Sequence, residues 1–367
     1  MTTPRELVEE RWRRIKAAVA LEKPDRVPVV PLGDAFAARM TGVSVADFCT
    51  KPEVAYPTMV DAFTSLGDID GIQHASYNVN MLSTLWLSRL KIPGRDLPEN
   101  DLWQVEELEL MTPEDYDQIV DQGFGPWRDR YFAERLDNLM DRVGPFVGSL
   151  PDAFAAWDAV GIPVVSPVIT TIPYEYFCGG RSMRAFVLDL HRMPDKVQAA
   201  MDAAQPALEE GARGVIRAFG LKGIWVGGWR AASEFLSPKL WERFVFPYYK
   251  RMVDVVVAEG CIPVLHFDSN WTRDLERFRE LPKAKCVLSL DGMTDIHRAK
   301  ELLGDHMCLM GDVPPRMLTI GSPDEVHSYA TGLVRDIGPT GFILAQGCDI
   351  PPDAKPDNVR AMIAAVH

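Results

Sequence analysis

The chain runs to 367 residues, 47% hydrophobic and 25% charged, which is ordinary for a soluble globular protein with a sizeable core. A formal net charge of -13 argues against a basic face for a nucleic-acid backbone. Six scattered cysteines with no CxxC pair exclude a disulfide framework and suit a reducing cytoplasm; no apolar run reaches bilayer length, and the opening residues lack the apolar core of a signal peptide.

Leu7, Trp12, Ile15, Val19 and Leu21 recur at helical spacing between charges, so the first ~20 residues are predicted helical, up to a break at Pro24-Asp25-Arg26. Val27–Leu32 reads as a short extended run. Pro52–Leu66 is predicted helical, and Gly67–Ile72 follows as strand or turn. Residues 78–145, interrupted by Pro93, Pro98 and Pro113, read as an inserted cap or side lobe with one helix over Arg128–Val143. Beyond residue 145, apolar runs occur at Phe146–Leu150, Val164–Thr170, Gly223–Val226, Cys261–Phe267, Cys286–Leu290, Cys308–Met310 and Phe342–Ala345. Helical patterns separate most of them: Asp152–Ala159, Met183–Leu190, Pro194–Phe219, Pro238–Glu259, Trp271–Glu280, Asp295–Leu303 and Pro323–Ile337.

Strand alternating with helix implies a parallel sheet, and these runs with one or two earlier ones suggest eight strands. We therefore expect an α/β protein built as a (β/α)8 TIM barrel, with an N-terminal helical extension and an inserted lobe, in one domain over 1–367. An open doubly wound sheet would want a glycine fingerprint in its first strand–helix turn, which the lone Gly227-Gly228 pair does not supply.

In such a barrel, reactive groups stand at the C-terminal strand ends. That rule selects Asp68 and Asp70; Tyr174 and Glu175; Trp229, Arg230 and Glu234; His266 and Asp268; Asp291; Asp312; and Cys348. His266 and Asp268, two apart on one strand, would share a face. With Cys348 they would offer an imidazole, a carboxylate and a thiolate to one ion and leave a position open, the pattern of a catalytic zinc site. A plainer reading stands beside it, in which Asp268 bonds a loop amide and Cys348 is a buried free thiol. Glu234 is a candidate further ligand or general base, or else a helix cap. Asp291 and Asp312 suit loop anchoring through backbone amides, and Tyr174 suits either a pocket wall or packing. The sequence contains no Gly-x-Ser-x-Gly, phosphate loop or His-Glu-x-x-His.

Arg11–Val19 followed by Glu22–Pro28 resembles the opening of the uroporphyrinogen decarboxylase superfamily. Phe235–Pro238, Phe246–Lys250, Leu288–Asp291, Leu309–Val313, Gly341–Leu344, Gly347-Cys348 and Pro351-Pro352 resemble its later signatures. The likeness runs over nearly the whole chain and is weakest at 78–145. It implies a (β/α)8 barrel and one of two chemistries, either cofactor-free decarboxylation of a porphyrinogen or methyl transfer by zinc enzymes working with a corrinoid protein. True decarboxylases gather the substrate's carboxylates with an Arg-Gln-Ala-Gly-Arg segment. Here that place reads Leu32 to Arg39, where only Arg39 is basic and Asp34 would repel an acidic substrate. The methyltransferase branch binds zinc through His-x-Cys and a distant Cys. This chain matches at His266 and Cys348 and departs at Asp268, which makes a harder site suited to an oxygen ligand such as a methyl ether.

The resemblance thus implies a zinc-dependent, corrinoid-linked methyltransferase, with Glu234 as a displaceable fourth ligand. Tyr174, Glu175, Trp229, Arg230 and Asp291 would lie about a small-molecule substrate. A homodimer is compatible with it. The rivals are a metal-free decarboxylase or lyase, with Asp68 or Asp70 stabilising a protonated intermediate and Arg230 holding a carboxylate, and a binding barrel without catalysis.

Overall fold

Parallel pairing links eight extended segments into a closed ring. The computed structural model describes residues 2–367. It pairs Ile169–Thr170, Gly223–Gly228, Ile262–Phe267, Val287–Leu290, Cys308–Val313 and Phe342–Gln346 side by side in that order. Two shorter staves complete the barrel. Around Val29 the chain bridges to Leu344, with Val30 N–H donating to Leu344 O at 3.0 Å and Leu344 N–H to Pro28 O at 2.8 Å. Around Ile72 it bridges to Val164, and Asp70 N–H reaches back to Val29 O at 2.9 Å. The (β/α)8 barrel expected from the strand–helix rhythm is the fold found.

One stave differs from expectation. Phe146–Leu150 lies inside the helix Met140–Ala159, where Val143, Phe146, Leu150, Ala153 and Trp157 are the buried residues. Their spacing of three and four is helical, and a short apolar window hides that period. The Val27–Leu32 and Gly67–Ile72 regions supply the missing count. The single helix expected over Arg128–Val143 is two, Phe124–Glu134 and Met140–Ala159, parted at Asp137 and Asn138, whose φ angles of 53° and 50° are left-handed. Pro238–Glu259 likewise divides into Pro238–Phe244 and Phe246–Ala258. Pro247 has no N–H to continue the ladder, and its ring opposes the carbonyl of Arg243.

The N-terminal helix Pro4–Val19 closes the bottom of the barrel. It starts with a Thr3/Glu6 capping box and Pro4 in its first turn. Trp12, Ile15, Ala18 and Val19 pack on inward-facing Val30, Val165, Val264, Val287 and Ile343. The region 78–145 carries the helices Asn80–Trp86, Pro113–Gln122 and Phe124–Glu134, and a short antiparallel pair, Leu90–Lys91 with Gln104–Val105. Among the described residues, no helix is long and apolar enough to cross a membrane.

Candidate metal centre

Inward-facing positions on the fifth stave follow the two-residue pleat from Ile262 through Val264 to His266, and the chain leaves the barrel at Asp268. His266 is buried, while Asp268 and Cys348 are half-buried. The ligand atoms of His266, Asp268 and Cys348 lie within 4.8 Å of one another. Donors around one zinc, at bonds of about 2.0–2.3 Å, stand roughly 3–4 Å apart, so small side-chain movements would close this set on an ion.

Two features fit a cation here. Ser289 Oγ lies 3.0 Å from His266 Nδ1, on the adjacent stave. The tautomer that donates from Nδ1 to this hydroxyl turns the Nε2 lone pair toward Asp268 Oδ1, 3.2 Å away. Two acceptors at that separation need a proton or a cation between them. Burial also pushes the Cys348 thiol well above its usual range, and Asp268, Asp349 and Asp291 push it further. A bound divalent ion would reverse that balance and hold a thiolate.

The other expected residues fall into three groups. Glu175 is fully buried and accepts from the backbone N–H groups of Trp229 at 2.8 Å, Arg230 at 3.0 Å and Ala231 at 3.0 Å. Burial raises its carboxyl to about 7, against the pull of these amides and of Arg230. It therefore shapes the turn after the fourth stave. In that turn, a Cβ on Gly227 would meet the Trp229 ring at 2.3 Å, so glycine lets the indole fold back over the strand. Arg230 is drawn to Glu107, just past the short strand Gln104–Val105, at 2.7 Å. The Tyr174 hydroxyl is buried without a partner, its ring edge-on to Phe186.

Asp291 accepts from the N–H groups of Ser269 at 2.7 Å and Met293 at 2.8 Å, and Asp312 accepts from the Tyr329 hydroxyl at 3.1 Å. Asp291 thus anchors loops beside the three ligands. Glu234 is exposed and accepts from Asn270 N–H at 3.0 Å, outside the cluster of three. Asp68 and Asp70 are not brought to the mouth. They open the second stave at the N-terminal end, where Arg11, Arg14 and Arg26 grip them and Val29 N–H donates to Asp70 at 2.9 Å.

Residues 168–367 match the family model described as uroporphyrinogen decarboxylase (URO-D). The chain belongs to the uroporphyrinogen decarboxylase family. A uroporphyrinogen decarboxylase from Myxococcus xanthus is 30% identical over 132 residues, spanning 36% of this chain and only 37% of that protein. Another, from Chlorobium luteolum, is 27% identical over 333 residues, 87% of this chain and 85% of that one. A methyltransferase from Methanosarcina mazei has the same fold, with a TM-score of 0.74 at 20% identity over 100% of this chain and 98% of the other.

Three mouth residues of this URO-D family member do not stand out in the sequence as parts of the site. His74 lies just past the second stave, its Nδ1 3.1 Å from Asp34 Oδ2. Trp225, inward-facing on the fourth stave, has its ring centroid 4.7 Å from that of His74 and 4.6 Å from that of His266. Asp34 Oδ1, His74 Nε2 and Trp225 Nε1 are all buried without a partner. Each such atom costs about 1–3 kcal/mol if left unsatisfied. Three of them near one another mark a place for a polar ligand. The available signal was the polar Gln73-His74 pair directly after Ile72, where the strand-end rule applies.

Proposed function

We propose that this URO-D family protein is a zinc-dependent methyltransferase that moves a methyl group between a small heteroatom substrate, such as a methyl ether, and a corrinoid protein. The observation that carries the reading is the convergence of His266, Asp268 and Cys348 from two separate strand ends. Bound there, zinc would supply Lewis acidity toward the substrate heteroatom. Ser289 orients His266, and Asp291 steadies the loop that follows Asp268. A carboxylate in the ligand set favours a hard oxygen partner over a thiol. The fold shared with a protein named a methyltransferase supports the same reading. Glu234 would have to leave the Asn270 amide to act as a fourth ligand. The corrinoid protein would have to approach the C-terminal mouth.

The rival that relies on Asp68 or Asp70 is weakened by their ion pairs at the opposite end of the barrel. Elemental analysis of protein purified without chelator tests the proposal. We expect close to one zinc per chain, lost in a folded Cys348→Ala variant. Metal-free wild-type protein after zinc is supplied in the medium would refute it.

A further inference from the structure

One titratable pair at the mouth has no task in the chemistry so far. His74 follows the second stave, and Asp34 opens the helix Asp34–Thr41 after the first. Their exposures are 6% and 3%. With Nδ1 of His74 donating to Asp34 Oδ2 at 3.1 Å, Nε2 is left as a bare lone pair, and no protein group satisfies it. The pair borders the ligand set by two routes. Trp225 packs on both His74 and His266. Asp34 N–H donates to Asp349, the residue after Cys348, at 3.1 Å.

We propose that His74, oriented by Asp34, is the catalytic base of this site. The proposal rests on the methyl-transfer reading. As a methyl group passes from the corrinoid to the substrate heteroatom, the heteroatom–hydrogen bond breaks and its electron pair stays on the heteroatom. The proton goes to His74 Nε2. The new bond to the methyl carbon forms as the corrinoid–carbon bond breaks, leaving that pair on the corrinoid metal. In the demethylating direction the same nitrogen returns the proton. Asp34, whose carboxylate lies against the ring, compensates the imidazolium that forms. Trp225 Nε1–H, also unpartnered, can donate to the heteroatom.

The test uses the full-length, metal-loaded protein with phenol as the probe, in weakly buffered solution at about pH 8, well below the pKa of about 10 of a free phenol. Phenolate formation is read from its red-shifted absorption and proton release from an indicator dye. Wild-type protein is expected to release close to no proton per phenolate formed. His74→Gln, which cannot take the proton, is expected to release about one, or to form phenolate at least ~10-fold more weakly. Asp34→Asn should move the same way by less. Equal phenolate and equal proton release in wild type and His74→Gln overturns the inference. Zinc analysis of the same samples separates the two readings. A metal-free wild type overturns both, whereas a zinc-loaded wild type that forms no phenolate, or behaves like His74→Gln, overturns this inference alone.

Discussion

Glu175→Gln is a sharp test of how the turn above the barrel is held. The carboxyl is fully buried, and three consecutive backbone N–H groups point at it. Two effects oppose each other: burial favours the protonated acid, and the amides favour the anion. Burial wins, and the carboxyl rises from 4.5 to about 7. The sign then follows from linkage. Between those values the folded protein holds a proton that the unfolded chain has released. Stability from this group is therefore full below about 4.5 and falls as pH rises through about 7. At about 1.4 kcal/mol for each tenfold gain in proton affinity on folding, the loss across that window is roughly 3 kcal/mol. Glutamine cannot titrate, so Glu175→Gln should be most destabilised relative to wild type at about pH 4.5 and below, and the gap should narrow by roughly 3 kcal/mol toward pH 8. Urea unfolding of both proteins at several pH values measures that difference. A gap independent of pH, or one that widens toward pH 8, would show that the amides outweigh burial and would refute the reasoning.

Zinc at about 100 times its dissociation constant should stabilise the wild type by roughly 2.7 kcal/mol, read as a rise in Tm, and should leave Cys348→Ala unmoved. Asp70→Asn removes a buried carboxylate held by Arg14 and Arg26 and should cost about 3–5 kcal/mol in chemical unfolding, while zinc content stays at the wild-type value. Loss of zinc in that variant, with the fold retained, would contradict the placement of Asp70 at the far end. Gly347→Ala puts a Cβ 2.5 Å from the backbone oxygen of Asp291, so the segment leading to Cys348 must shift. We expect metal affinity to fall about tenfold or more, near 1.4 kcal/mol, in chelator competition, without any ligand having been changed.

The barrel was legible because long helices such as Pro194–Phe219 alternate with apolar runs that are buried all along, as parallel strands are. The first two staves were faint because each makes only an isolated bridge, so neither needs a long apolar run. At the site, His266-x-Asp268 could be read because the pleat alone puts both side chains on one face. Asp68 and Asp70 show the converse error. The second stave runs on past Ile72 to Gln73, so these aspartates open it rather than end it. His74 was obscured because Gln73-His74-Ala75-Ser76 looks like a polar loop, and Trp225 because an indole within an apolar run reads as core. Asp34 reads in the sequence only as a negative charge. Its partner lies 40 residues away, and no local pattern reports that contact.

The mouth is a poor receiver for a polyanion and a good one for a cation. Arg39 is exposed and spends a donor on the Asn100 carbonyl, and Glu107 neutralises Arg230. What remains about the centre is Asp34, Asp268, Asp291 and Asp349 beside one thiol. Burial raises the carboxyl of Asp291, and pushes the carboxyl of Asp349 and the thiol of Cys348 well above their usual ranges, so without a cation the site favours its less charged forms. Metal uptake must expel at least the thiol proton. The logarithm of apparent zinc affinity should then rise by about one per pH unit between about pH 7 and 8.5, where the thiol is still protonated. Chelator competition across that range measures the slope, and Cys348→Asp, whose carboxylate carries no thiol proton, should flatten it. A pH-independent affinity in the wild type would mean that Cys348 gives up no proton, and that the ion, if bound, is held without its thiolate.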